Sequence, residues 1–464
     1  MELAIIAIFV IGYTFIALEH PFRIDKAASA LITGVLCWTL FVIGANEAPA
    51  HLGLDFQNYL AESGEGGSLK IFFEHRLLHH LSEISGILFF LLGAMTIVEL
   101  VDAHEGFAVI TDRIKTTNKV KLLWIVGVIT FFLSAALDNL TTTIVMISLL
   151  RKLIDDKQTR WFFAGIVVIS ANAGGAWSPI GDVTTTMLWI GKQVSTVAII
   201  SNLIIPSIVC LVVPLLVLSF TMKGNVNRPL KAEGKEHYLS PTTDFERKIV
   251  FALGIAGLLF VPIFKTVTHL PPFMGMMLSL GMIWAFTELL HRTKNHEDKT
   301  PLSVIGVLRK IDTASVLFFL GILLAVSALQ EVGLLRQLSV ILKESLGDIY
   351  SINIAIGFLS SIIDNVPLVA ASMGMYDIPT QEIINQDPAW FSNFVPDGNF
   401  WHFLAYCAGT GGSALIIGSA AGVAAMGLEK IDFIWYLKKI SLLAILGYLA
   451  GAFTYILIHG NIFG

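Results

Sequence analysis

Two carboxylates stand in the middle of long apolar segments, where a charged side chain is hard to accommodate. Asp138 interrupts residues 121–150 and Asp364 interrupts residues 351–376, each followed by an asparagine. Ionisable residues at membrane depth are rare and mark ion pathways or proton relays, so we interpret both as cation- or proton-binding groups. The polar neighbours that could share a cation with them are Asn139, Thr141, Ser360 and Asn365. The alternative is that each aspartate only caps the half-helix that follows it.

A second polar element, residues 170–186, interrupts a segment long enough to span a membrane. It contains two glycines, Pro179 and the carboxylate Asp182. A helix broken here would expose backbone carbonyls, which are hard oxygen ligands suited to a small alkali cation. The side chains predicted to join them are Asn172, Asp182, Thr184 and Thr185. The alternative is a glycine-lined packing seam.

A related element, residues 409–422, keeps the glycines and contains Ser413 and Ser419 but no carboxylate. It is not a phosphate loop, because no strand precedes it and no Lys-Ser/Thr pair follows. We therefore expect the first half of the chain to contribute more of the negative ligands. A small alkali cation such as Na⁺ would be held by Asp138, Asp182 and Asp364.

Several titratable residues lie near the ends of apolar segments, where most side chains simply reach water. These are Glu99, Glu288, Glu331 and His402. Glu99 and His402 are the candidates for a proton relay. His79 and His80, beside Glu83, are either pH-sensing or ordinary surface histidines.

The composition indicates the class of protein that carries these groups. Of the 464 residues, 55% are hydrophobic and only 14% are charged, against about 25% charged in a soluble domain. The net charge of −5 gives no reason to expect a nucleic-acid partner. The three cysteines are far apart in apolar stretches, which favours buried thiols over a disulfide or a metal site.

The apolar pattern predicts an all-α polytopic membrane protein, since each span needs about 20 apolar residues. The candidate spans are 3–18, 27–44, 83–101, 161–190, 195–221, 249–265, 273–290, 313–330, 400–426 and 440–459. Two of them, 161–190 and 400–426, are expected to be broken. In 121–150 and 351–376, the halves on either side of Asp-Asn are expected to be about a dozen residues long, too short to cross, which predicts re-entrant hairpins.

The cationic residues give the sidedness. If both hairpins are non-crossing, 24 of the 30 Lys and Arg fall on one side and 6 on the other. The positive-inside rule places the first side in the cytoplasm and both termini outside. We expect a bacterial inner membrane as the location and the lipid bilayer as the partner.

Short matches recur in the same order in both halves of the chain. Residues 88–91 match 317–320, 132–139 match 358–365, and 173–181 match 410–418. Each half holds five crossings and one hairpin, and an odd number of crossings inverts the second copy. The sequence thus predicts inverted repeats over 1–222 and 249–464, joined by a polar linker at 223–248, as in secondary transporters.

At these motifs the sequence resembles the NhaD-type sodium/proton antiporters, whose superfamily also contains arsenite permeases and dicarboxylate transporters. The segments that carry the resemblance are 133–146, 171–189, 360–375 and 409–424. The resemblance implies a homodimer with a scaffold part and a mobile transport part, the latter containing two hairpins and two broken helices. Dicarboxylate members have Ser-Asn-Thr at the hairpin tips, and a carboxylate at each tip would repel an anion.

The residues and the resemblance both predict a secondary antiporter that exchanges cytoplasmic Na⁺ or Li⁺ for external H⁺. A desolvated carboxylate holds a proton or a cation but poorly holds both, which would couple the two fluxes. No cofactor is expected, because the ions are the substrates. Alternatives are a permease for arsenite or a small anion on the same fold, and an intramembrane hydrolase. The hydrolase is disfavoured because the sequence has no recognisable catalytic motif.

Overall fold

The computed structural model describes residues 1–17, 19–47, 59, 68–111, 113–229, 242–295 and 299–460. All regular structure in these ranges is helical, which confirms the all-α prediction. Helices of seven residues or more in the described part are α1 (Glu2–Ala17), α2 (Lys26–Glu47), α3 (Leu69–Ala103), α4 (Lys119–Leu137), α5 (Asn139–Leu153), α6 (Lys157–Ala176), α7 (Val183–Ile190), α8 (Thr196–Thr221), α9 (Asp244–Thr268), α10 (Pro272–Leu290), α11 (Thr313–Glu331), α12 (Leu334–Leu346), α13 (Ile349–Ser360), α14 (Asn365–Met375), α15 (Asn399–Gly411), α16 (Ala420–Glu429), α17 (Phe433–Lys439) and α18 (Ser441–His459).

The described residues contain eight helices that are long and apolar enough to cross a membrane, so the chain is a multi-pass membrane protein. They are α2, α3, α4, α8, α9, α10, α11 and α18. The predicted span 3–18 corresponds to α1, which has 16 residues. The predicted spans 161–190 and 400–426 are each divided between two shorter helices.

The first predicted hairpin differs from expectation in the length of its first arm. α4 has 19 residues rather than about a dozen, because it begins at Lys119, where the Asn118 side chain accepts a hydrogen bond from the backbone of Lys121. It is therefore long enough to cross a membrane on its own, and its re-entrant course stays a prediction. In the second hairpin, α13 and α14 have 12 and 11 residues, close to the expected length.

Both broken helices are interrupted at the glycine-rich elements. α6 ends at Ala176, and residues 177–182 lead into α7. α15 ends at Gly411, where a single 3₁₀ turn and residues 415–419 precede α16. The peptide groups between the half-helices are thereby released from regular helical hydrogen bonding, as the sequence predicts.

The chain forms two compact units, and each draws on both halves of the sequence. The first unit contains residues 1–89, 312–348 and 366–377. Within it, α2 and α11 cross with backbones in close contact at Gly34 and Gly321, where an added Cβ would meet the backbone or Cβ of the other helix. The Trp38 indole, also on α2, donates hydrogen bonds to the Leu324 carbonyl and to Ser327.

The second unit contains residues 90–311, 349–365 and 378–464, and the same helix contact occurs in it twice. Ser134 on α4 donates a hydrogen bond to the Ala171 carbonyl of α6 at 2.6 Å. Ser360 on α13 donates to the Ala408 carbonyl of α15 at 2.7 Å. These residues are equivalent in the aligned segments 132–139 and 358–365 and in the stretches that precede 173–181 and 410–418. Equivalent sequence thus makes equivalent contacts, while the inversion and the repeat boundaries stay predictions.

The predicted linker, 223–248, is described in part, because residues 230–241 lie outside the described ranges. Its beginning pairs with the start of α4: the backbone of Val226 donates to Thr117, and Lys119 donates to Gly224. Its end becomes the first turn of α9, which begins at Asp244 and is capped by Thr243.

Candidate functional site

The Asp182 carboxylate lies at the first turn of α7, just after the break in the helix. It is 2% exposed. Its Oδ1 atom accepts hydrogen bonds from the backbone amide and the hydroxyl of Thr184, both at 2.8 Å. The Thr185 hydroxyl donates to the Asp182 carbonyl at 2.9 Å. A carboxylate at a helix N-terminus meets free amide groups and the positive end of the helix dipole, so Asp182 caps α7.

Asparagines from both Asp-Asn pairs converge on this carboxylate. The amide nitrogen of Asn139 lies 2.5 Å from Oδ2 of Asp182. The amide nitrogen of Asn365 lies 3.5 and 3.4 Å from the two carboxylate oxygens. Both asparagines are 4% exposed, and each begins the helix after its break. The two Asp-Asn tips, 226 residues apart in the sequence, therefore meet at a single acid.

Asn172 connects this group to the second broken helix. Its Oδ1 atom accepts from Asn139 at 3.1 Å, while its amide nitrogen lies 2.9 Å from the hydroxyls of both Ser413 and Ser419. Ser419 also caps α16, accepting from the backbone of Gly422. Asn172, Ser413 and Ser419 thus link α6 to the element 409–422 through buried side chains.

Asp138 caps the helix that follows it, which is the geometry that the alternative interpretation of this residue predicts. Its backbone has φ 116° and ψ 161°, which ends α4 and starts α5. Its carboxylate accepts from the backbone amide of Thr141 at 2.7 Å and from the Thr141 hydroxyl at 2.9 Å. Capping does not remove the charge, so a role in ion binding remains compatible with this geometry. Asp364 is half-buried and directly precedes Asn365.

The other predicted site residues make their contacts outside the group around Asp182. The Ser360 hydroxyl is engaged with the Ala408 carbonyl, so it holds two helices together. Glu99 is half-buried near the end of α3, and its charged neighbours are Asp102 and Lys310. His402 is buried, with the Asn202 amide at 3.3 Å and Asp397 at 3.5 Å. In the part of the chain that the structure describes, neither relay candidate is hydrogen-bonded to the group around Asp182.

Two residues that the sequence pattern did not single out belong to the same neighbourhood. Thr142 and Thr143, in the first turns of α5, are fully buried, and their hydroxyl oxygens have no hydrogen-bond partner among the described residues. A buried hydroxyl without a protein partner is unusual, and a bound water or ion is a common way to satisfy it. The available signal was the run of three threonines that follows Asp138-Asn139-Leu140.

The group around Asp182 consists of a buried carboxylate and neutral polar side chains. No Lys, Arg or His forms an ion pair with Asp182 within the described ranges, and its hydrogen-bond partners are amides and a hydroxyl. Carboxylate, amide and hydroxyl oxygens are the ligands that hard cations prefer. A buried carboxylate without a fixed cation is most stable with a proton or a mobile cation bound.

Known transporters are similar to this chain over most of its length. A family model described as citrate transporter matches residues 13–395. Sodium/proton antiporter 1 of Arabidopsis thaliana is 45% identical over 458 residues, covering 99% of this chain and 73% of the relative. Sodium/proton antiporter 2 of the same plant is 43% identical over 457 residues, covering 97% and 98%. The Na⁺/H⁺ antiporter NhaD of Vibrio cholerae is 30% identical over 494 residues, covering 99% and 92%.

Proposed function

Since the chain belongs to the citrate transporter family and, within it, to the NhaD-type group, we propose that it exchanges sodium for protons across a membrane. The relatives named as sodium/proton antiporters extend over nearly the whole chain, so the proposal covers the whole protein. It is a transporter and not an enzyme.

One observation carries the proposal: the buried Asp182 carboxylate is contacted by asparagines from both Asp-Asn tips and has no cationic partner in the described ranges. A fixed lysine or arginine would neutralise this acid permanently. Without one, its charge is left for an exchangeable ion. Na⁺ and H⁺ then compete for Asp182, with Asp138 and Asp364 as further acids at the same tips.

Competition at one carboxylate couples the two fluxes. If Na⁺ leaves only when a proton replaces it, the carboxylate always crosses the membrane with an ion bound. Crossing with the buried carboxylate charged and uncompensated would cost too much free energy. With a proton gradient directed inward, the cycle moves cytoplasmic Na⁺ outward. Li⁺ prefers the same hard oxygen ligands and is a second expected substrate.

The site residues are tied to one another tightly enough to move as one body. Asn172 links α6 to Ser413 and Ser419, and the Ser134 and Ser360 hydroxyls join neighbouring helices. This supports the elevator-type alternation that the family resemblance implies, with re-entrant hairpins and a homodimer. Both termini are proposed to lie outside. A bacterial inner membrane remains the proposed location, although two of the relatives are plant proteins.

The second candidate is a permease for arsenite or a small anion. The family model described as citrate transporter favours this candidate. The group around Asp182 disfavours it, because an anion would face an unneutralised carboxylate and no Lys or Arg ion-paired to that acid within the described ranges.

The test is Na⁺-driven proton movement in proteoliposomes that contain a trapped pH-sensitive dye. Wild-type protein should move protons on addition of Na⁺ or Li⁺, and Asp182→Asn should abolish the signal. Asparagine caps a helix about as well as aspartate, so this change removes the charge and keeps the cap. Arsenite- or citrate-dependent fluxes without a Na⁺ response would favour the permease.

Asp156→Asn is the matched control. Asp156 caps α6 through the backbone amide of Thr159, as Asp182 caps α7 through Thr184, and lies in a polar loop. Asp156→Asn should retain wild-type exchange. If Asp182→Asn also retains it, the carboxylate of Asp182 serves only as a cap and the proposal is wrong.

A further inference from the structure

Two histidines and a glutamate form a cluster on the early part of α3, within the first compact unit, whereas Asp182 belongs to the second. His79, His80 and Glu83 each offer one ligand atom, and these atoms all lie within 4.8 Å of one another. Their spacing along the helix, i, i+1 and i+4, brings His79 and His80 within reach of Glu83. Imidazole and carboxylate together suit divalent transition metals.

The ring of His80 is oriented by a carboxylate on another helix. Its Nε2 atom lies 2.7 Å from the Oε1 atom of Glu331 at the end of α11. Glu331 is itself held by Arg76, whose Nε lies 3.0 and 2.8 Å from the two carboxylate oxygens. Since that carboxylate accepts hydrogen bonds, Nε2 of His80 carries the hydrogen and Nδ1 keeps its lone pair.

The lone pair on Nδ1 of His80 is directed toward the other residues of the cluster. Nδ1 of His80 lies 3.9 Å from Oε2 of Glu83. The Trp38 ring packs edge-on against the His80 ring, with centroids 6.0 Å apart, which helps to fix its plane. A histidine whose second nitrogen donates to a carboxylate is the usual arrangement of a metal-binding histidine, because the carboxylate fixes the tautomer and makes the ring more basic.

We propose that His79, His80 and Glu83 bind a divalent transition metal such as Zn²⁺, with Nδ1 of His80 as the preoriented ligand and Glu331 as its orienting partner. Zinc bonds of about 2.0–2.2 Å require the ligand atoms to approach one another more closely than they do here. His79 and Glu83 provide this movement, because His79 is exposed and the Glu83 side chain is 64% exposed. Three protein ligands leave the fourth position for water.

The proposed metal site is formed by residues that the proposed exchange does not use. α3 has 35 residues and is about 50 Å long, well beyond the roughly 30 Å of a hydrocarbon core. The cluster lies in the first half of this helix, for which the sequence predicts the outer side. A bound metal would join positions 79, 80 and 83 and so stiffen this part of α3.

The experiment is metal binding to purified full-length protein in detergent, titrated with Zn²⁺ and followed by calorimetry and by the shift in melting temperature. Co²⁺ provides the spectroscopic signal of a site with nitrogen and oxygen ligands. Wild-type protein should bind one equivalent. His79→Ala and Glu83→Gln should each weaken binding at least tenfold, and both side chains are exposed, so the fold is unaffected.

Two controls separate this site from general histidine binding. His269→Asn removes an exposed histidine in a left-handed conformation that asparagine tolerates, and it should bind Zn²⁺ like wild type. His75→Ala removes the exposed histidine one turn before His79. If His75→Ala abolishes binding while Glu83→Gln does not, the metal belongs to a His75–His79 pair and the proposal is overturned. Binding that is unchanged in both His79→Ala and Glu83→Gln also overturns it.

Discussion

Two glycines at equivalent positions of the broken helices allow close helix approaches in the second compact unit. An added Cβ at Gly174 would lie 2.8 Å from the carbonyl carbon of Phe131 and closer still to its oxygen. At Gly411 it would lie 2.6 Å from the carbonyl carbon of Gly357 and closer to that oxygen. Real Cβ atoms essentially never come within 3.0 Å of such atoms, so one helix must move away from the other.

The cost follows from what would have to move. The clashing atoms are backbone, so a side-chain rotation cannot relieve the contact. Overpacking of this kind costs about 1–3 kcal/mol and occasionally more. Gly174→Ala and Gly411→Ala should each destabilise the protein by at least this amount. The shift should also disturb the Ser134 and Ser360 hydrogen bonds beside the two crossings.

The assay is the thermal stability of detergent-solubilised protein, measured by loss of the monodisperse size-exclusion peak after heating. Gly281→Ala in α10 is the control, because an added Cβ there meets nothing within 4 Å. Replacing a helical glycine by alanine in open space gains up to about 1 kcal/mol. If Gly174→Ala or Gly411→Ala is as stable as Gly281→Ala, the helices do not cross as closely as described above.

Two further predictions concern the loop-side ends of the helices. Burial and the neighbouring His104 and Lys294 lower the pKa of His291 to about 4, so the folded state favours the neutral ring. The unfolded chain binds the proton more tightly, and stability is lost as pH falls below about 6.5, by about 1.4 kcal/mol at pH 5.5. His291→Asn should flatten the dependence of melting temperature on pH. An unchanged slope would show that a different group causes this dependence. Glu429, 1% exposed at its side chain, pairs with Arg151 and Arg160. Glu429→Ala removes the acid that both arginines bind and should cost about 1–3 kcal/mol, whereas equal melting temperatures would show the pairs to be unimportant.

Much of the site can be predicted from local sequence. Asp138 predicts a break because a charged residue is costly inside an apolar membrane helix, and the backbone does turn there. Asp182, with Thr184 and Thr185 beside it, is recognisable for the same reason. The convergence of Asn139 and Asn365 on Asp182 is a tertiary contact, and no local sequence pattern predicts it.

Some contacts and helix ends are not visible in the local sequence. Ser360 stays a predicted cation ligand, and its hydroxyl also donates to the carbonyl of Ala408, a partner 48 residues away. The first hairpin arm is longer than expected, because hydropathy does not show that Asn118 caps a helix starting at Lys119. The buried hydroxyls of Thr142 and Thr143 are not predicted, because threonines near a helix start usually serve as caps.

Competition between Na⁺ and H⁺ at Asp182 can be measured without transport. Purified protein in weakly buffered solution, with a pH-sensitive dye, should release protons when Na⁺ is added and none when an equal amount of choline is added. Asp182→Asn should release none, while Asp156→Asn should behave like wild type. Proton release by Asp182→Asn equal to that of wild type would contradict competition at this carboxylate.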